Sequence, residues 1–167
     1  MMISANMNTK LNEQITAEFH AAHSYLAMAC VFDRLGLRVL RDRFTEQYRE
    51  ECNHAMKILR YVQEVGGHAV LEGIPKPRGD YPSVEAIVAT AVQNEIEISR
   101  RINGIVDLAD TERDYATRSF LEWFIDEQVE EVSSMTDLLN LVKLGGENLL
   151  QIELRVQQLM AQEAKKG

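Results

Sequence analysis

The chain has 167 residues, of which 46% are hydrophobic and 26% are charged, and this composition indicates a globular domain with a substantial core. Its formal net charge of -8 argues against binding to nucleic acid or to an anionic membrane surface. No apolar run approaches the ~20 residues of a membrane span, and residues 1–10 contain no signal-peptide core. Because the two cysteines form no disulfide framework, we expect a reduced, cytoplasmic location.

The spacing of apolar residues predicts an all-α fold with four long helices and a short fifth one. The three prolines lie within residues 75–82, which leaves the rest of the chain free to be helical. We expect Asn8 or Thr9 to cap the first helix and Ser83 to cap the third. The predicted helices span about residues 8–35, 38–66, 83–111, 114–144 and 148–164, within a single domain of residues 1–167.

The connection between the second and third helices is long enough to set the topology of the bundle. Its roughly 16 residues, 67–82, reach ~50 Å when they are extended at ~3.3 Å per residue. A helix of about 29 residues is only ~44 Å long, so the connection can cross the whole bundle. The other long helices are joined tightly and should be antiparallel neighbours. The sequence therefore predicts a four-helix bundle with one long crossover loop.

Polar residues interrupt the apolar stripe near the midpoint of each long helix. Glu51 and His54 lie three residues apart, so both point off the same helical face. Antiparallel packing would bring the helix midpoints to one level, so these polar side chains should meet in a single layer. The full set is Glu18, Glu51, His54, Glu95, Gln128 and Glu131.

Carboxylates buried together in one layer would repel each other and take up protons unless cations neutralised them. Two divalent metal ions would do so, and the almost all-oxygen ligand set suits iron or manganese, while zinc or magnesium would also be accepted. Glu51 is central and carries two oxygens, so it is expected to bridge the two ions. Glu18 and His54 would complete the ligand shell of the first ion.

The second ion would be held by Glu95 together with Glu131 or Gln128. Tyr25 follows Glu18 by seven residues, which places it two turns along the same helical face. It could donate a hydrogen bond to a ligand or supply an electron, and a packed core tyrosine is the alternative.

A further acidic group lies beside these ligands on the fourth helix. Glu127, Glu130 and Glu131 share one helical face, and Glu50 precedes the proposed bridging residue Glu51 on the second helix. Together they could form a third metal position that leads toward one surface of the bundle. A solvated acidic face is the alternative interpretation.

These residues resemble those of the non-haem bacterial ferritins, and the resemblance covers essentially the full chain. The matching motifs are Glu18 with Tyr25, Glu50-Glu51-x-x-His54, Glu95, and Glu127-Gln128-Val129-Glu130-Glu131 following Phe120-Leu-Glu-Trp123. The resemblance implies a ferroxidase that oxidises Fe(II) with dioxygen or hydrogen peroxide at two iron positions per subunit. It also implies a homo-oligomeric 24-mer cage that stores Fe(III) as a mineral, with the fifth helix buried in the assembly. The catalytic residues would be Glu18, Tyr25, Glu51, His54 and Glu95.

Haem binding is not predicted for this chain. Bacterioferritins resemble the segment around Glu51 but place a haem-ligating methionine where this chain has Cys52.

Two other functions stay open. A di-iron oxidase or peroxidase acting against peroxide is one, although rubrerythrin-like proteins usually add a Cys-x-x-Cys module that this sequence lacks. A structural cage subunit with a weak metal site is the other, and the complete ligand set argues against it.

Overall fold

The computed structural model describes residues 2–164, apart from the side chain of Glu163, and these residues fold into five α-helices. The helices are α1 (Ala5–Arg34), α2 (Arg38–Glu64), α3 (Val84–Glu112), α4 (Tyr115–Gly145) and α5 (Leu149–Glu163). The predicted all-α class and the order of four long helices and one short helix are confirmed. The predicted domain of residues 1–167 also includes residue 1 and residues 165–167, which lie outside the described part of the chain.

The first helix begins earlier than its sequence suggests, because its cap is Ser4 rather than Asn8 or Thr9. The Ser4 hydroxyl accepts a hydrogen bond of 2.9 Å from the backbone N–H of Met7. Asn8 is used elsewhere, since its side-chain oxygen accepts a 2.8 Å hydrogen bond from the backbone N–H of His68. The predicted cap at Asn8 or Thr9 was therefore wrong. The predicted cap at Ser83 is confirmed by its 3.1 Å bond from the Ala86 N–H.

The crossover loop runs along the length of α1. Near its start, Asn12 donates to the carbonyl of His68 at 2.9 Å and accepts from the N–H of Val70 at 2.7 Å. Near its end, Arg34 donates to the carbonyl of Gly79 at 3.0 Å. Asn12 and Arg34 lie toward opposite ends of α1, so α2 ends and α3 begins at opposite ends of the bundle. This arrangement is the predicted one, with α2 and α3 parallel.

The long helices pack as two hairpins, α1 on α2 and α3 on α4, with α1 also contacting α3, and α5 lies against α2 and α4. Two hydrophobic clusters fill the interior. One contains Phe32 and Phe44, and the other contains Ile15 and Ile58. The polar positions predicted from the sequence lie between these clusters on each of the long helices. The fold thus holds the polar layer in the middle of an apolar core, away from water.

The fifth helix caps the second one. The N-cap residue of α2, Leu37, has no side-chain oxygen to offer the first turn. The Glu153 carboxylate of α5 accepts instead, from the N–H groups of Val39 at 3.0 Å and Leu40 at 2.9 Å. A carboxylate at this position also interacts favourably with the positive end of the helix dipole.

We expect Glu153→Ala to lower the free energy of unfolding by about 1–2 kcal/mol, because two backbone donors of α2 lose their acceptor. Chemical denaturation of the metal-free protein measures this change. Gln157→Ala is the matched control, since Gln157 is an exposed position on the same helix. Equal losses in the two variants would show that Glu153 contributes only through the propensity of α5.

None of the helices between residues 2 and 164 is both long enough and apolar enough to cross a membrane.

Candidate metal centre

The first metal-ligand group joins α1 and α2. Glu18, Glu51 and His54 each offer one ligand atom, and these atoms lie within 4.8 Å of one another. All three side chains are buried, with 1% of each glutamate and 4% of the histidine exposed. The spacing of three residues between Glu51 and His54 places both on the face that meets α1, and His54 Nδ1 lies 3.3 Å from Glu51 Oε2.

Two oxygens of this group are buried without a hydrogen-bond partner among the described residues. They are Oε2 of Glu18 and Oε1 of Glu51. Burying an unsatisfied carboxylate oxygen is costly, and a bound cation removes that cost. Two unpaired oxygens and an imidazole nitrogen in one apolar interior therefore fit a divalent metal ion.

Burial and mutual repulsion change the protonation of these groups. Burial raises the pKa of Glu18 well above its ordinary value, and the neighbouring Glu51 carboxylate raises it further. The pKa of Glu51 is raised well above its ordinary value by burial first and then by Glu95 and Glu131. Burial also raises the pKa of Glu95, and burial followed by repulsion from Glu95 raises that of Glu131 to about 8. Without cations the layer holds protons, and with cations it releases them.

The other side of the layer is formed by Glu95 of α3 and its partners. The hydroxyl of Tyr25 donates a hydrogen bond to Glu95 Oε1. A hydrogen bond to a candidate ligand is one of the roles that the sequence left open for Tyr25. The amide of Gln128 donates to Glu95 Oε2 at 3.2 Å, to the Glu95 carbonyl at 3.2 Å and to Ser99 Oγ at 3.3 Å. Burial, and next the Glu95 charge, raise the pKa of Tyr25, so its phenol remains protonated.

A second ligand group shares His54 with the first. Glu127 and Glu131 of α4 each place an oxygen within 4.8 Å of a His54 nitrogen and of one another. His54 Nε2 lies 3.7 Å from Glu127 Oε1, so the two ring nitrogens face carboxylates on opposite sides. Glu131 is buried, whereas Glu127 is half-buried. The sequence predicted Glu127 only as part of a third metal position. In the structure, Glu127 lies between the acidic residues of that position and the group formed by Glu18, Glu51 and His54.

The second group opens into an acidic cleft between α2, α4 and α5 with a volume of about 360 Å³. Glu50 and Glu130 are exposed at this cleft, next to Glu127 and Glu131. Its lining residues are Arg43, Glu46, Gln47, Glu50, Glu127, Glu130, Glu131, Ser134 and Met160. The structure therefore brings together the four glutamates predicted for a third metal position.

An aromatic stack covers the outer side of His54. The ring centroids of His54 and Trp123 are 5.5 Å apart in an edge-to-face arrangement. The ammonium of Lys57 lies over the Trp123 ring, 3.4 Å from its centroid. These contacts restrict the orientation of the imidazole, which is the one histidine among the candidate ligands.

Two buried glutamines were not predicted from the sequence as residues of the site. Gln14 donates a 2.7 Å hydrogen bond to Glu18 Oε1, and Gln47 donates to Glu131 Oε2. Gln14 lies four residues before Glu18, and Gln47 lies four residues before Glu51. For Gln14, the helical spacing of four from the carboxylate that it contacts is a signal that could have identified it. No such signal exists for Gln47, because the carboxylate that it contacts lies on another helix.

The model of the ferritin-like domain family matches residues 8–145 of this chain, which include every candidate ligand. The chain belongs to the ferritin family. It is 36% identical over 148 residues to the bacterial non-heme ferritin of Staphylococcus aureus strain USA300, covering 88% of this chain and 89% of that protein. The bacterial non-heme ferritin of Staphylococcus epidermidis is 36% identical over 147 residues, covering 87% of this chain and 89% of that protein.

Solved ferritin structures share the fold of this ferritin. An open pore ferritin from the hyperthermophilic archaeon Archaeoglobus fulgidus superposes with a TM-score of 0.91 at 36% identity, covering 94% of this chain and 97% of that one. A humanized archaeal ferritin gives a TM-score of 0.91 at 37% identity, covering 94% of this chain and 95% of that one. The predicted ferritin-like bundle and the predicted function, iron storage with ferroxidase activity, are therefore confirmed. As a ferritin, the protein binds iron.

Proposed function

We propose that this ferritin oxidises Fe(II) in the centre of each bundle and stores the Fe(III) as a hydrated oxide mineral inside a cytoplasmic 24-mer cage. The observation that supports the position of the site most directly is the buried group Glu18, Glu51 and His54, with its two unpaired carboxylate oxygens. Iron is the substrate and the cargo here. Each Fe(II) gives one electron to dioxygen or hydrogen peroxide, and the protein holds the ions in place.

Two iron ions per subunit are expected to share Glu51. Its carboxylate faces the charges of Glu95 and Glu131 as well as its neighbour Glu18, which places it centrally among the acidic groups. Glu18 and His54 would complete the first iron position. Glu95 and Glu131 would hold the second, with Gln128 beside it.

Tyr25 would serve this site in two ways. Its hydroxyl holds Glu95 Oε1, which leaves Glu95 Oε2 turned toward the Gln128 amide. It is also a buried phenol in direct contact with a proposed ligand, so it is positioned to supply an electron during oxidation.

The acidic cleft would provide a third iron position, formed by Glu50, Glu127, Glu130 and Glu131. Glu127 and Glu131 connect it to His54, and Glu50 and Glu130 are exposed. A gradient from buried to exposed carboxylates gives oxidised iron a path from the centre of the bundle to its surface.

Assembly into a cage is supported by apolar side chains at the end of α4 and on α5. Leu144, Leu150 and Leu154 are 90%, 73% and 54% exposed, respectively. Large apolar residues that are concentrated in one part of a surface mark a protein interface. We infer that α5 contacts other copies of the chain.

Aerobic Fe(II) loading of the metal-free protein tests this function. Size-exclusion chromatography with simultaneous protein and ferric absorbance should show Fe(III) co-eluting with a 24-mer particle, in large excess over the binding positions. The double variant Glu18→Ala/His54→Ala should assemble equally well but oxidise iron slowly. Iron limited to two or three ions per chain on a small oligomer would contradict storage and favour a di-iron oxidase.

A further inference from the structure

Two buried glutamines each hold one carboxylate of the metal layer. Gln14 is 1% exposed and donates to Glu18 Oε1 at 2.7 Å within α1. Gln47 is 8% exposed and donates from α2 across to Glu131 Oε2 on α4. Both amides are therefore enclosed with the carboxylates that they contact.

In each pair one carboxylate oxygen is bonded to the amide. The second oxygen of Glu18, Oε2, is buried without a partner among the described residues. Glu131 offers an oxygen to the group that it forms with His54 and Glu127. A carboxylate with one oxygen fixed in this way can rotate little, so its direction is set before any metal ion arrives.

Glu51 differs from both of these carboxylates. None of the described glutamines donates to it: Oε1 is without a partner, and Oε2 lies 3.3 Å from His54 Nδ1. This difference agrees with its proposed place between two iron ions, where both oxygens are needed. The two amides thus contact carboxylates that are each proposed to bind at one iron position rather than between the two ions.

A glutamine is suited to this task because it donates hydrogen bonds without carrying a charge. A lysine or arginine in the same place would neutralise the carboxylate and compete with the metal ion. Groups that hydrogen-bond to metal ligands commonly set ligand orientation and affect metal affinity roughly 10–100-fold.

We propose that Gln14 and Gln47 are positioning residues, which hold Glu18 and Glu131 in their metal-binding orientations in the metal-free protein. This inference rests on the proposed iron positions. Each glutamine contacts a different carboxylate, so each should control a different proposed position. Gln14 should control the first iron position, which contains Glu18, and Gln47 the second, which contains Glu131.

The test replaces each glutamine with methionine, which has a similar length but no hydrogen-bond donor. Zn(II) is the probe, and it is titrated calorimetrically into the metal-free protein in its native assembly. Gln14→Met should weaken one binding step roughly 10–100-fold and leave the other unchanged, and Gln47→Met should weaken the other step. In Fe(II) oxidation, both variants should need more iron for half-maximal rate while the maximal rate changes less. Gln63→Met is the control, because Gln63 is exposed on α2.

Unchanged Zn(II) affinities in both methionine variants would overturn the inference. So would equal weakening of both steps accompanied by a lower unfolding midpoint, since that pattern indicates a purely structural role. If Gln14→Met does not fold, Gln14→Asn keeps the amide but shortens its reach, and it should give the same selective loss. Failure of the proposed site is recognised separately, because wild-type and Glu51→Ala proteins would then bind Zn(II) identically.

Discussion

Glu51→Ala is expected to lower the initial rate of Fe(II) oxidation by on the order of 100-fold or more, a larger effect than the roughly 10–100-fold typical of residues that only support a ligand. Glu51 is the central carboxylate of the layer, since Glu95, Glu131 and Glu50 all act on its pKa. Its loss removes an oxygen from both proposed iron positions at once. The remaining ligands would then hold the two ions independently.

Stopped-flow absorbance of the ferric product, at two Fe(II) per chain, measures this rate before mineral growth contributes. Glu64→Ala is the matched control, because Glu64 is an exposed glutamate at the end of the same helix. Chromatography must show that the variant assembles as the wild type does. A wild-type rate in an assembled Glu51→Ala protein would remove Glu51 from the site.

The variant Glu51→Gln separates the effect of the charge at position 51 from the effect of the shape of the side chain. The amide fills the same space but cannot ionise, so it removes the cost of burying or protonating this carboxyl group beside Glu95 and Glu131. We expect this variant to lose rapid oxidation as Glu51→Ala does, but to be more stable than the wild type when metal is absent. Opposite effects on stability and activity are characteristic of a site in which the charge serves function and costs stability.

Local periodicity was sufficient to predict the helices and the buried polar layer. A glutamate or histidine inside an apolar stripe is conspicuous, and Glu18, Glu51, His54 and Glu95 were recognised in this way. The crossover followed from length alone, because only a connection as long as residues 67–82 can pass along a bundle of this size. These features depend either on residues that are close in sequence or on the distance that a loop of known length can span.

The features that were missed depend on contacts between distant residues. Asn8 resembles a helix cap in the local sequence, but its side chain accepts a hydrogen bond from the N–H of His68, 60 residues away, and Ser4 caps α1 instead. The cap of α2 comes from Glu153, more than a hundred residues away in the chain. Nothing in the local sequence around α2 indicates that its acceptor lies on another helix.

Two neutral residues that contact the candidate ligands were missed for a different reason, although neutral Gln128 was predicted. Gln14 and Gln47 are uncharged and resemble the polar residues of any helix surface. The only signal for Gln14 is its spacing of four residues from Glu18, and the carboxylate that Gln47 contacts lies on another helix. Charge makes a buried ligand visible in a sequence, whereas its hydrogen-bond partner becomes visible only in the fold.

The metal-free protein is expected to lose stability as the pH rises from about 5 to about 8. Glu18, Glu51, Glu95 and Glu131 all have raised pKa values in the folded state, caused first by burial. The folded state therefore binds more protons than the unfolded state, in which each carboxyl group titrates near 4.5. The stabilisation is complete below the unfolded pKa and is lost as the pH rises toward the folded pKa, which for Glu131 is about 8.

At ~1.4 kcal/mol per pKa unit, the loss is expected to be on the order of several kcal/mol, so denaturation midpoints of the metal-free protein at fixed ionic strength should fall clearly over this range. Glu131→Gln should have a shallower dependence, because it cannot ionise, and Glu64→Gln should follow the wild type. Saturating Zn(II) should reverse the trend, since ionised carboxylates bind the metal better and each binding event releases protons. A metal-free protein whose stability is constant or increases between these pH values would show that the carboxylates are already ionised, and the layer would then need a source of positive charge within the protein.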